Sequence, residues 1–201
     1  MYEDEQFNQA FGEHTGLDTD TKEDISLIKN NDAHTTAFAL DTDDAERFTN
    51  QAWRLVGKYI ANNKHLKKIV FDECHLTDRK MALLFKELVK SVSLERLDID
   101  ENEFGMEGVR SMYPLLHNSP NISSLYLSGN RNFNSECFAV LVQALHGGPL
   151  GGRSLEKLFI DSNNLTDISA LDRYNLPNLQ TLSLNYNNMG RCSNFKMKEQ
   201  H

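Results

Sequence analysis

The stretch Ser154-Leu-Glu-Lys-Leu-Phe-Ile-Asp-Ser-Asn-Asn-Leu165 decides the reading, because it returns as Asn178-Leu-Gln-Thr-Leu-Ser-Leu-Asn-Tyr-Asn-Asn-Met189. Both copies fit the frame L-x-x-L-x-L-x-x-N-x-L. Earlier in the chain the frame takes in Ile122, Leu125, Leu127 and Asn130, with Phe133 one residue late. It then fits Leu94, Leu97, Ile99, Asn102 and Phe104, and before them Leu66, Ile69, Phe71, Cys74 and Leu76. A weaker first copy runs through Thr35, Phe38, Leu40, Asp43 and Ala45. The copies begin at 35, 66, 94, 122, 155 and 179, so the intervals are 31, 28, 28, 33 and 24. Self-similarity at such a period is the mark of a stacked array of small units.

Each unit has two halves. The fourth and sixth positions of the frame lie two residues apart, so they share one face of a short strand. The Asn or Cys at position nine ends that strand. Its side chain can satisfy backbone groups where the chain turns, and stacked copies build a ladder of Cys74, Asn102, Asn130, Asn163 and Asn187. A structural place for Cys74 in that ladder fits better than a reactive thiol. After each strand the apolar spacing changes to a helical one. The helix-forming stretches are residues 43–62, with Phe48, Ala52, Leu55, Val56 and Tyr59; 78–91, with Thr77 as N-cap; 106–117; and 135–146. The connection 166–176 is short, and Pro177 argues against a long helix there.

This pattern resembles the leucine-rich-repeat family over most of the chain, and the 28-residue periods resemble its ribonuclease-inhibitor-like type. The resemblance implies an α/β solenoid: a horseshoe arc with a parallel concave sheet of about six strands and helices on the convex side. It implies a surface for binding another protein, as a scaffold and not as an enzyme. An alternative drawn from the same resemblance is a regulator of an enzyme or small GTPase, of inhibitor or GTPase-activator type.

Outside the repeats the sequence is polar. Residues 1–24 carry eight acids and one base, and residues 1–46 have a net charge of −11 against −8 for the whole chain. Residues 1–20 are expected to be a disordered acidic tail, because so little apolar surface cannot offset the entropy of ordering. Residues 21–190 form the repeat domain. Its first segment, 21–33, is expected to close the array, with Ile25 and Ile28 of a short helix facing inward. Residues 191–201 are read as a short polar tail. With little to cover the last strand, its edge is expected to pair with a second copy, unless the chain is part of a longer array.

The rest of the sequence argues against other chemistries. The body is nearly neutral and has no basic footprint for nucleic acid. No apolar run is long enough for a membrane span, and the first residues lack the pattern of a signal peptide. Three widely spaced cysteines, Cys74, Cys137 and Cys192, suggest neither a disulfide framework nor a zinc site, and point to a cytoplasmic or nuclear protein. No metal or other cofactor is expected. Counted as a calcium loop from Asp98, the chain puts Glu103 and Val109 where Gly and Glu are needed. The run from His146 to Gly152 is glycine-rich but lacks the Lys-Ser/Thr of a phosphate loop.

The frame also says which side chains leave the core. Positions three, five and seven point to the concave side, and position eight lies at its rim. Position three brings Lys68, Arg96 and Lys157; position five brings Val70, Asp98, Tyr126 and Phe159; position seven brings Asp72, Asp100 and Asp161; position eight brings Tyr186. These residues are the candidate binding set, with Tyr126 and Phe159 as anchors and the acidic column facing a basic segment of the partner. A competing reading of the acidic column is local: each Asp bonds nearby backbone where the chain turns.

Overall fold

The computed structural model describes residues 2–147 and 154–190. Six three-residue strands lie side by side in chain order: β1 (Ala37–Ala39), β2 (Lys68–Val70), β3 (Arg96–Asp98), β4 (Ser124–Tyr126), β5 (Lys157–Phe159) and β6 (Thr181–Ser183). All five pairings are parallel and in the register of the repeat, so that Phe38, Ile69, Leu97, Leu125, Leu158 and Leu182 form one continuous row. Parallel neighbours need a crossover between them, and here helices supply most of it. The helices are α1 (Tyr2–Phe11), α2 (Thr19–Lys29), α3 (Thr42–Arg47), α4 (Asn50–Asn62), α5 (Asp78–Leu88), α6 (Met106–Asn118), α7 (Ser135–Gly147) and the single turn α8 (Ala170–Arg173).

Residues 43–62 are not one helix. The chain breaks at Phe48, and Thr49 starts α4 by accepting the N–H of Ala52. Phe48 itself is buried against Trp53, with ring centroids 5.0 Å apart. The other helices use caps of two kinds. Thr77 Oγ1 caps α5 locally, whereas α6 begins at Gly105, which has no side chain to offer. Asp78 of the preceding repeat does the work instead, accepting the N–H groups of Gly105 at 2.7 Å and Gly108 at 2.8 Å. Orphan donors at a helix start are thus satisfied from the neighbouring unit, which ties adjacent repeats together.

The core lies between sheet and helices. The inward positions of the first five strands, with Met81, Leu84, Leu88, Met112, Leu116, Phe138 and Leu141 from the helices, are essentially free of solvent. At β6 the pattern loosens. Leu179, Leu182, Leu184 and Met189 are only partly buried, and the outer edge of β6 pairs with no strand among the described residues.

The expected disorder of residues 1–20 is overturned. Residues 2–11 are helical, and Ala10, Phe11 and Leu17 are buried, with Phe11 only 1% exposed. Phe7 and Phe11 pack on Tyr59, and Phe11 also meets Phe48. The acids of this segment are not merely solvated: Asp4 pairs with Lys29 at 2.8 Å and Glu3 with Lys58 at 2.9 Å. Asp44, almost fully buried, accepts the N–H of Asp18. Four apolar residues too few for a core of their own suffice once α2 and α4 supply the other half. Ile25 and Ile28 of α2 are buried in the same cluster.

Candidate functional site

Position nine joins the repeats beneath the concave face. Asn130 donates to the carbonyls of Ile99, Leu127 and Ser128, and its Oδ1 accepts the N–H of Asn102 at 3.1 Å. Asn102 donates to Phe71 and Asp100 and accepts from Leu76. Asn187 donates to Ile160 and Leu184 and accepts from Leu165. In the first of these rungs Cys74 donates its thiol to the carbonyls of Leu40 and Asp72, and burial pushes that thiol up to about 12. A thiol so held is no nucleophile. Asn163 departs from the pattern: it donates to Leu127, but its Oδ1 is buried with no hydrogen-bond partner among the described residues. The extra residue before Phe133 shifts the turn, and the Phe133 N–H bonds to Asn130 instead.

One residue earlier the backbone turns over. Position eight holds Glu73, Glu101, Gly129, Ser162 and Tyr186, with φ of 52°, 50°, 70°, 54° and 58°. These are left-handed values, which cost a non-glycine residue about 1 kcal/mol or more. The compensation is visible: the N–H of each of Glu73, Glu101, Gly129 and Ser162 reaches the position-seven carbonyl of the next repeat, at 2.8 to 3.2 Å. Only Gly129 hinted at this turn in the sequence. Tyr186 is 87% exposed there, at the edge of the sheet.

Above this framework the concave side chains make a row. Arg96 lays its guanidinium on the ring of Tyr126, 3.9 Å from the centroid. Tyr126 in turn stacks on Phe159, with centroids 4.6 Å apart and ring planes 12° apart. Strands about 4.8 Å apart bring rings at equal register positions to stacking distance. Tyr126 is therefore the middle layer of a stack, and Phe159 is its outer layer. Asp98 is not available as a contact residue: it is 7% exposed and bonds Arg96 Nη2 at 2.6 Å, which fixes the guanidinium.

The acidic column divides. Asp100 accepts the Ser128 N–H at 2.5 Å, and Asp161 accepts the Asn185 N–H and the Ser183 hydroxyl, both at 2.6 Å. These two serve the backbone of the next repeat. Asp72 stays exposed beside Glu73 and Glu101. Burial, with Asp98 and Asp72 close by, raises the Asp100 carboxyl to about 7; burial and Asp98 also raise that of Asp72. Lys68 and Val70 are half-buried at the first end of the row, and Lys157 is exposed beside Phe159. His75, also left-handed, sits between Glu103 at 3.0 Å and Glu46 at 3.7 Å on the rim, a grouping that needed three repeats to assemble.

A family model described as leucine-rich repeats (2 copies) matches residues 153–195. Together with the six in-register strands, this settles the architecture. The chain takes the leucine-rich-repeat fold, and residues 153–195 match two copies of that repeat. Its repeats form a parallel solenoid with helices on the outer side. No curated protein matches the sequence. Among solved structures, a tropomodulin C-terminal domain from Caenorhabditis elegans shares this fold with a TM-score of 0.61 and 18% identity, covering 77% of this chain and 89% of that one. A structure titled Leiomodin-1 Actin-Binding Site 2 gives a TM-score of 0.59 and 14% identity, with coverage of 78% and 85%. At such identity these likenesses speak to fold alone.

The described leucine-rich repeats contain no group of three His, Cys, Asp or Glu side chains placed to hold a metal ion. No described helix is long and apolar enough to cross a membrane. The glycine-rich run at 147–152 lies almost wholly outside the described residues, as does Cys192.

Proposed function

We propose that this protein is a non-catalytic interaction module whose concave strand face takes a basic segment of a partner protein. The observation that carries this reading is the concave face, which no element among the described residues covers. Parallel sheets are ordinarily covered on both sides. Here helices cover one side, and the other carries an ordered row of Arg96, Tyr126 and Phe159 beside the exposed carboxylates of Asp72, Glu73 and Glu101. Aromatic and arginine side chains held rigidly on an open surface lose little entropy when a partner arrives. The actin-binding title of one structural neighbour supports a protein as the partner class and goes no further.

The test is a binding titration with short lysine- and arginine-rich peptides. Affinity should fall as salt rises, because exposed charge pairs are screened. The charge reversals Asp72→Lys, Glu73→Lys and Glu101→Lys together should weaken binding at least tenfold with the circular dichroism unchanged. Asp100 and Asp161 are unsuitable for this, since each holds a backbone N–H. Unaltered affinity in the triple variant would move the site off the concave face.

A further inference from the structure

We infer that the outer face of Phe159 is the seat of an arginine side chain from the partner. This rests on the concave-face reading above and narrows it to one residue type and one place. The structure supplies its own template. At one end of the row, a guanidinium lies flat on an aromatic ring and pairs with a carboxylate: Arg96 on Tyr126, held by Asp98 at 2.6 Å. At the other end the same parts recur without the guanidinium. Among the described residues Phe159 has an aromatic ring, that of Tyr126, on one face only, and its neighbour across the next strand pairing is Ser183.

Strand spacing sets the width of the vacant layer. A side chain at the Ser183 position would stand one strand from Phe159, which is stacking distance. Serine is too short to fill that layer, and its hydroxyl is turned to Asp161 Oδ1 and accepts from Asn185 Nδ2. Asp161 is thereby fixed next to the gap. Its second oxygen takes no hydrogen bond among the described residues. The layer has an aromatic wall, a polar floor and a fixed carboxylate. That combination suits a flat cation able to stack and to pair at once, which is arginine and not the compact ammonium of lysine. Lys157, exposed on the same strand, limits the approach of a second cation from that side.

The experiment compares nine-residue lysine-rich peptides that carry arginine, lysine or citrulline at the centre. Titration is followed by the ring proton shifts of Phe159 and by calorimetry. The arginine peptide should bind about tenfold more tightly than the other two, and it alone should shift the Phe159 ring. Ser183→Trp fills the layer from within, and Phe159→Leu removes its wall. Each should erase the arginine preference, so that the arginine and lysine peptides bind the variant equally. Folding of both variants is checked by circular dichroism, and the two fail by different routes. Equal affinities for the three peptides, lost in the Asp72→Lys/Glu73→Lys/Glu101→Lys variant, would overturn the arginine seat and keep the concave-face reading. An arginine preference that survives in both Ser183→Trp and Phe159→Leu would also overturn the seat. Binding that ignores all these variants would overturn both.

Discussion

A Cβ placed on Gly57 in the middle of α4 would lie 2.4 Å from the carbonyl oxygen of Leu84 in α5. Helix propensity alone favours Gly57→Ala by about 1 kcal/mol. The contact is with backbone, so the two helices would have to move apart and loosen Leu84 and Phe85, both buried. Overpacking of that kind costs roughly 1–3 kcal/mol on its own, and separation of the helices adds to it. Gly57→Ala is therefore expected to lower the urea midpoint. A raised midpoint would show that the helices part freely.

The front helix gives a second prediction. Phe11→Ala should cost about 3 kcal/mol, or roughly 6–12 °C in Tm for a chain of this size. Deletion of residues 2–17 should cost more, since Phe7, Ala10 and Leu17 leave with it and Tyr59 is laid bare. A truncated protein that melts at the original temperature would mean that α1 contributes nothing.

These outcomes bear on what the sequence could reveal. The strands, their register and the asparagine ladder were legible, because one unit repeated six times sets its own standard of comparison. The front was not. Phe7, Phe11 and Leu17 read as isolated apolar residues in an acidic run, and their partners Tyr59 and Phe48 lie dozens of residues away. Tyr126 and Phe159 were legible as neighbours from the frame, but the burial of Asp98 depended on Arg96 folding over it. The left-handed turn at position eight showed only through Gly129, since Glu, Ser and Tyr occupy it elsewhere against their own preference.

The ladder can be probed at two of its rungs. Asn130→Ala removes four hydrogen bonds at a fully buried site and takes the partner from the Ile99 carbonyl and the Asn102 N–H, while the Leu127 and Ser128 carbonyls keep Asn163 and Glu101, so a loss of about 2–4 kcal/mol is expected. Cys74→Ala removes two weak sulfur contacts and should cost about 1 kcal/mol. Chemical denaturation of the two variants checks the order. Equal costs would mean that packing, and not hydrogen bonding, maintains the ladder.

Asp100 makes stability depend on pH. Its folded carboxyl titrates near 7, whereas an unfolded aspartate titrates near about 3.9. Below the lower value both states are protonated and the group contributes nothing. As pH rises between the two values the unfolded chain ionises first, so stability falls, and the full penalty is reached above pH 7. Solvent reaches this site, so the penalty is on the order of 1–2 kcal/mol and not the full shift. Asp100→Asn keeps an oxygen for the Ser128 N–H and should flatten the decline between pH 4 and 7. Denaturation midpoints across that range would show it, and parallel curves for the two proteins would exclude Asp100 as the source.

The left-handed turn separates two kinds of change that natural variation ordinarily mixes. At position eight the backbone conformation is fixed by hydrogen bonds to the next repeat, and the side chain itself points away from the core. Glutamate, glycine, serine and tyrosine all occupy the same turn in this one chain. An exchange among residues that accept this turn rewrites what the rim displays at little cost to folding, whereas a side chain at Gly129 would have to displace the Glu101 carboxylate. Recognition can therefore drift residue by residue along the rim, in a lineage or in a laboratory selection, without any compensating change inside the molecule.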